Sequence, residues 1–113
     1  MISFFFALLA ANPTASDETV VLAGEPGPIA ECILDKTHLN GWNVDMERTE
    51  AGSTVTARSH DGRAEWSVSL SQFQAFQFVS LASITYEKTT RDGFHSTIWP
   101  FVEDCQATKK LTH

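Results

Sequence analysis

The sequence predicts an α+β domain: a four-stranded antiparallel meander sheet with an N-terminal and a C-terminal helix packed on one face, in the order α-β-β-β-β-α. Three features point to it. Residues 54–58 and 64–70 alternate polar and apolar side chains on either side of Asp61 and Gly62, the pattern of a hairpin with one buried face. The run before it, residues 42–47, alternates as well. Outside this block, residues 25–41 and 92–105 place apolar side chains at helical spacing, and each segment holds one of the two cysteines.

Composition bounds the rest. A chain of 113 residues with 42% hydrophobic content has material for one core of modest size. Its formal charge of -6, from 14 acidic and 8 basic residues, removes the attraction that draws basic proteins to phosphate backbones and anionic lipid. Nucleic acid is therefore not an expected partner. Like-charge runs, low-complexity tracts and fixed-period repeats are absent from the sequence, which excludes solenoids and charged tails.

The first residues, MISFFFALLAA, form an apolar stretch of about ten residues, the length of a signal-peptide core and too short to span a bilayer. The polar, breaker-rich NPTASDE follows. Residues 1–16 are read as a signal peptide with its cleavage region, cut after Ala11 or Ser16, and residues 17–113 as a single small domain that is secreted or periplasmic. No Lys or Arg precedes the apolar run and no ideal Ala-x-Ala occurs, so a buried N-terminal helix or strand is the alternative. No membrane association is expected once the leader is removed.

Within the domain, EPGPIAECILDKTHLNG reads as the first helix, with Pro28 at its first position, Ile29, Cys32 and Ile33 on one side, and Asn40 and Gly41 at its end. Residues 42–47 follow as a strand with Trp42, Val44 and Met46 on the buried side, and EAGS turns the chain so that Met46 meets Ala57. In the hairpin, Asp61 and Gly62 suit a two-residue type I′ turn. That register pairs Arg58 with Glu65, Ala57 with Trp66, Thr56 with Ser67 and Val55 with Val68. It gives one apolar face (Val55, Ala57, Ala64, Trp66, Val68, Leu70) and one polar face (Thr54, Thr56, Arg58, Glu65, Ser67, Ser69).

After a turn near residues 72–75, a long fourth strand is expected over residues 76–88, with a short helix from Ser71 as the alternative. Phe76, Phe78, Ala82, Ile84 and Tyr86 share one face, and Val79 and Leu81 share the other. Phe94, Ile98, Phe101, Val102 and Cys105 then form the stripe of the second helix, which Pro100 either kinks or starts. Packing both stripes on one side of the sheet brings Cys32 and Cys105 together, and an exported domain of this size gains from such a bridge.

Reactive chemistry is sparse. His60 and Asp61 fall at a hairpin tip. Asp92, His95 and Ser96 have the residue types of a hydrolytic triad but lie within five positions of one another, where they cannot line up as orienter, base and nucleophile. Neither cysteine sits in a metal-ligand spacing, and His38, His95 and His113 are not selected by any; no metal or other cofactor is expected. Trp42, Trp66 and Trp99 read as core residues, and the glycines form no phosphate-binding loop. The expected function is an exported, disulfide-stabilised, non-catalytic protein-interaction module of inhibitor, immunity or binding-subunit type, engaging another protein or itself. Its surface is the polar sheet face (Thr54, Thr56, Arg58, Glu65, Ser67, Ser69) or the flank at Val79 and Leu81. The alternative is a small exported hydrolase or carbohydrate-binding domain that uses His95, beside Trp99, with Asp92 or Glu103.

Overall fold

The computed structural model describes residues 17–73 and 78–107. The leader expected at residues 1–16, Phe76 and His113 lie outside the described residues. Five strands, not four, form one antiparallel sheet: β1 (Glu18–Ala23), β2 (Asn43–Arg48), β3 (Gly52–Arg58), β4 (Glu65–Gln72) and β5 (Val79–Tyr86), in the spatial order β1-β5-β4-β3-β2. Among the described residues three helices, α1 (Pro26–Leu39), α2 (Arg91–Thr97) and α3 (Trp99–Asp104), give the order β-α-β-β-β-β-α-α. The missed strand β1 holds the run Val20-Val21-Leu22, whose unbroken apolar character hides the alternation: Leu22 is buried and Val21, pointing the other way, is 58% exposed.

Because β1 and β2 are opposite edges, α1 has to cross the sheet to join them. Its 14 residues extend about 21 Å, enough to cover the roughly 19 Å between outer strands. It packs on β2, β3, β4 and β5. The helix begins at Pro26, two residues earlier than the sequence suggests, because Pro26 can itself occupy the first turn, where its missing N–H leaves no bond unmade. At the far end the Asn40 N–H donates to the carbonyls of Thr37 and His38, and Gly41 leaves the helix at φ 91°.

The expected second helix is two. Thr90 caps α2 by accepting the Gly93 N–H on its hydroxyl at 3.0 Å. Pro100 then sits in the first turn of α3, and Ile98 alone separates the two segments. Ring sterics and the missing N–H of Pro100 explain the break. The apolar stripe nevertheless survives it, with Phe94, Ile98, Val102 and Cys105 all buried.

One face of the sheet meets these helices. Leu22, Val55, Ala57, Trp66, Val68, Leu70, Ala82 and Ile84 join Ile29, Ala30 and Ile33 of α1 and the stripe of α2 and α3 in one core cluster, against which Trp42, Val44, Met46, Tyr86, Trp99 and Phe101 are partly buried. Trp66 is its aromatic centre: its ring lies 5.8 Å from Trp42 and 5.4 Å from Phe94, both edge-on.

Between β3 and β4 the register is the expected one, with Arg58 opposite Glu65 and Ala57 opposite Trp66. The turn that closes it is different. Ser59 and Ala64 form the last backbone bond, the Gly62 N–H donates to Ser59 C=O at 3.0 Å, and Gly62 has a φ of 74° while no non-glycine residue has a positive φ among the described residues. The loop thus spans residues 60–63 and is not a type I′ turn, which needs positive φ at both central residues. Asp61 serves instead as an acceptor, for Ser59 Oγ at 2.7 Å and the Arg63 N–H at 3.0 Å. These bonds, the Arg63 N–H foremost, hold its carboxyl below the usual range.

Two other registers depart from expectation. Met46 faces Val55, and Val44 faces Ala57, because Thr49 pairs with Gly52 across a tight turn; a shift of two residues keeps every side chain on its own face. A Cβ at Gly52 would fall 1.8 Å from the Leu70 carbonyl oxygen, so glycine is what lets β3 start so close to β4. Strand β5 runs from Val79 to Tyr86 rather than over residues 76–88, and Phe78, just before it, is 64% exposed.

Cys32 and Cys105 form a disulfide with their Cα atoms 5.6 Å apart and a sequence separation of 73. The bond ties α1 to the end of α3 over the core. A closed loop of this size is worth about 4 kcal/mol by restriction of the unfolded chain. The double variant Cys32→Ser/Cys105→Ser is therefore expected to lose about 4 kcal/mol in urea unfolding against wild type. A loss under about 1 kcal/mol would show that the bond does not constrain the unfolded chain.

Candidate functional site

Strand geometry sends alternate side chains to opposite sides, so the residues left over from the core make a second face, which no helix among the described residues covers. The register arranges it in rows across the strands. Thr19, Ser83, Ser69, Thr54 and Glu47 make one row, and Thr85, Ser67, Thr56 and Asp45 the next. The Thr54 and Ser69 hydroxyls bond each other at 2.9 Å. A cavity of about 120 Å³ opens beside Gly52, bordered by Thr54, Ser69, Ser71 and Ser83 among others. At the β3–β4 end, Arg58 reaches Glu65 at 3.5 Å and Lys88 reaches the same carboxylate at 4.0 Å. Arg58 and Lys88 are exposed, so the pairs contribute little to stability.

Toward the β1 side the face turns apolar. Leu81 lies opposite Val21, and Val79 opposite Ala23. Val79 and Leu81 thus sit on the uncovered side while Ala82 and Ile84 are buried beneath. Strand β1 doubles this patch, of which the fourth predicted strand supplied only half. The arrangement offers hydroxyls, a few charges and an apolar corner on one face of the sheet.

His95 has a carboxylate partner, but neither Asp92 nor Glu103. Glu18 of β1 meets it: Nε2 of His95 lies 2.8 Å from Oε1 of Glu18. The Tyr86 hydroxyl donates to the same oxygen, and Arg91 Nε stands 3.7 Å away. Against the imidazole lie the rings of Trp99, 5.1 Å off and tilted, and Phe94, 5.9 Å off and edge-on. Inward-facing Glu18 at the start of β1 and Tyr86 at the end of β5 are brought side by side by antiparallel pairing, and α2 lowers His95 onto them. The hydrogen bonds from Tyr86 and His95, in that order, hold the Glu18 carboxyl below its ordinary range. Burial, then the neighbouring carboxylate, pushes the Tyr86 phenol up.

A carboxyl that works as a general acid near neutral pH is one whose pKa is raised, beside an open cleft. The carboxyl in this cluster is lowered, and it is spent as an acceptor for its neighbours. The cluster fastens α2 to the β1–β5 end of the sheet. Glu18 is not evident from sequence because it lies far from His95 in the chain, in a strand that the local pattern conceals; its place two residues before Val20, in phase with Leu22, is the available signal. Among the described residues no group of three or more His, Cys, Asp or Glu side chains could hold a metal ion, and no helix is long and apolar enough to cross a membrane. No protein-family model matches the chain, and no curated protein matches its sequence.

Because the folded state favours the ionised Glu18, its contribution is complete above the usual carboxylate range and is lost as pH falls through the depressed value. Glu18→Gln is expected to lower stability by about 1.5–3 kcal/mol at neutral pH, the scale of hydrogen bonds to a charged group. That gap should narrow as pH drops below about 4. Urea midpoints of both proteins between pH 3 and 7 measure it, and a gap that widens with acid would contradict the assignment.

Proposed function

We propose that this protein is an exported interaction module that binds another protein through the open face of its sheet and performs no chemistry of its own. The single observation that carries the reading is the one-sided cover of the sheet, which leaves the apolar corner of Val21, Val79 and Leu81 on the side away from the helices. Thr54, Thr56, Ser67 and Ser69 supply hydroxyls that donate or accept, and Arg58 and Glu65 supply charges at the rim. Protein-binding surfaces commonly combine apolar area with neighbouring polar groups in this way. Export is supported by the Cys32–Cys105 bridge, which persists in oxidising compartments and is rare in reducing ones. The apolar residues at the N-terminus, MISFFFALLAA, agree with it.

Capture from the native host with tagged wild-type protein and a Leu81→Glu variant tests both parts. The expected result is a protein retained by wild type and lost from Leu81→Glu, with the bait's own N-terminus at residue 12 or 17. Equal retention by both baits, or a bait that keeps residues 1–10, would contradict the reading. The melting temperature of Leu81→Glu, expected to lie near wild type because the residue is outside the core, separates lost binding from lost folding.

A further inference from the structure

The two edges of the sheet are finished differently. On β1, the Ala23 N–H is taken by the Gln106 side-chain oxygen at 3.0 Å. On β2, the phase of the ladder follows from its closing turn, where Thr49 and Gly52 exchange backbone bonds of 2.8 and 3.3 Å. Bonded and non-bonded pairs alternate in an antiparallel ladder, so Asn43, Asp45 and Glu47 bond to β3. Val44, Met46 and Arg48 then direct their N–H and C=O groups off the sheet. Among the described residues, no side chain caps these groups.

Side chains along this edge sort cleanly. Asp45 and Glu47 are exposed on the open face, about 7 Å apart along the strand. Neither is in an ion pair among the described residues. Val44 and Met46 are half-buried on the helix side, and Arg48 is held there by Glu31 of α1. Two grooves follow the edge. One, of about 320 Å³, is bordered by His38, Asn43, Val44, Asp45 and Arg58; the other, of about 370 Å³, by Asp45, Met46, Glu47 and Thr56.

We propose that β2 accepts an extended segment of another protein as a sixth strand, with Lys or Arg at alternate positions and apolar residues between them. Free backbone groups supply the ladder, and alternate side chains supply the selection. Cations facing Asp45 and Glu47 would neutralise two unpaired acids, while the intervening side chains would extend the apolar surface of Val44 and Met46. A second copy of this chain is the wrong occupant. Every two-fold antiparallel register centred on Asp45, Met46 or Glu47 sets acid against acid across the new pair, which disfavours it. The same acids that keep copies apart admit a basic strand. This edge meets the open-face contact proposed above at Thr56 and Arg58 but does not depend on it.

The probe is a capped peptide of alternating lysine and valine, added to the disulfide-bonded protein and followed by amide exchange and chemical-shift titration. Saturable binding is expected, with new protection at the Val44 and Met46 amides and roughly tenfold or greater weakening in Asp45→Lys/Glu47→Lys. A peptide of the same composition with its lysines in one block, and one with glutamate for lysine, should bind far less. The proposal is overturned by block and alternating peptides binding alike, by protection at Ser69 or Leu81 instead, or by no saturation. Dimerisation of the peptide-free protein with Val44 and Met46 already protected would overturn the choice of occupant. The peptide comparisons use wild-type protein, so a folding defect in the charge-reversed variant leaves the test intact.

Discussion

Burial on one side only is the constraint from which the rest of this structure follows. Three helices cover one face of a five-stranded sheet, so every strand must sort its side chains by parity. In β3 the sorted set is Ser53, Val55 and Ala57; in β4 it is Trp66, Val68 and Leu70; in β5 it is Ser80, Ala82 and Ile84. A slip of one residue in any of them would put Thr or Ser into the core and Val or Ile into water. The buried Ser80 shows how strictly the pattern is kept, since its hydroxyl is satisfied by donating to Gly24 C=O at 2.7 Å.

Two unlike fasteners keep the cover in place. The Cys32–Cys105 bond joins α1 to the end of α3. Near the other end of the α2–α3 segment, Glu18 gathers Tyr86, His95 and Arg91 around one carboxylate oxygen and so fixes α2 to β1 and β5. Between them lies the aromatic stack of Trp42, Trp66, Phe94 and Tyr86. The cluster whose residue types come nearest to a catalytic set is thus one of these fasteners. The two proposed contacts use surface: a face that no helix among the described residues covers, and a strand edge that no side chain among the described residues caps.

Much of the framework was legible because it is local. The β3–β4 register could be read from Val55, Ala57, Trp66 and Val68, since turn position and burial pattern agree there, and the meeting of the cysteines could be read from two helical stripes. The turn itself could not. Asp61 has a choice between positive φ and local hydrogen bonds, and it takes the bonds to Ser59 and Arg63. Strand β1 was hidden because Val20-Val21-Leu22 is apolar on both faces and directly follows a segment with the character of a leader. With it were hidden the partner of His95, the apolar contribution of Val21, and the fact that β1 rather than β5 is the edge. Long-range pairing decides all three, and no local pattern reports it.

Solvent accessibility of the two faces tests the central claim most directly. A soluble paramagnetic agent added to methyl-labelled protein should broaden the methyl signals of Thr54, Thr56 and Thr85 while sparing those of Val55, Val68 and Ile84. Equal protection of both sets would mean that the sheet is covered on both sides, and the reverse pattern would mean that the helices lie on the other face; either result would contradict a sheet buried on the helix side alone.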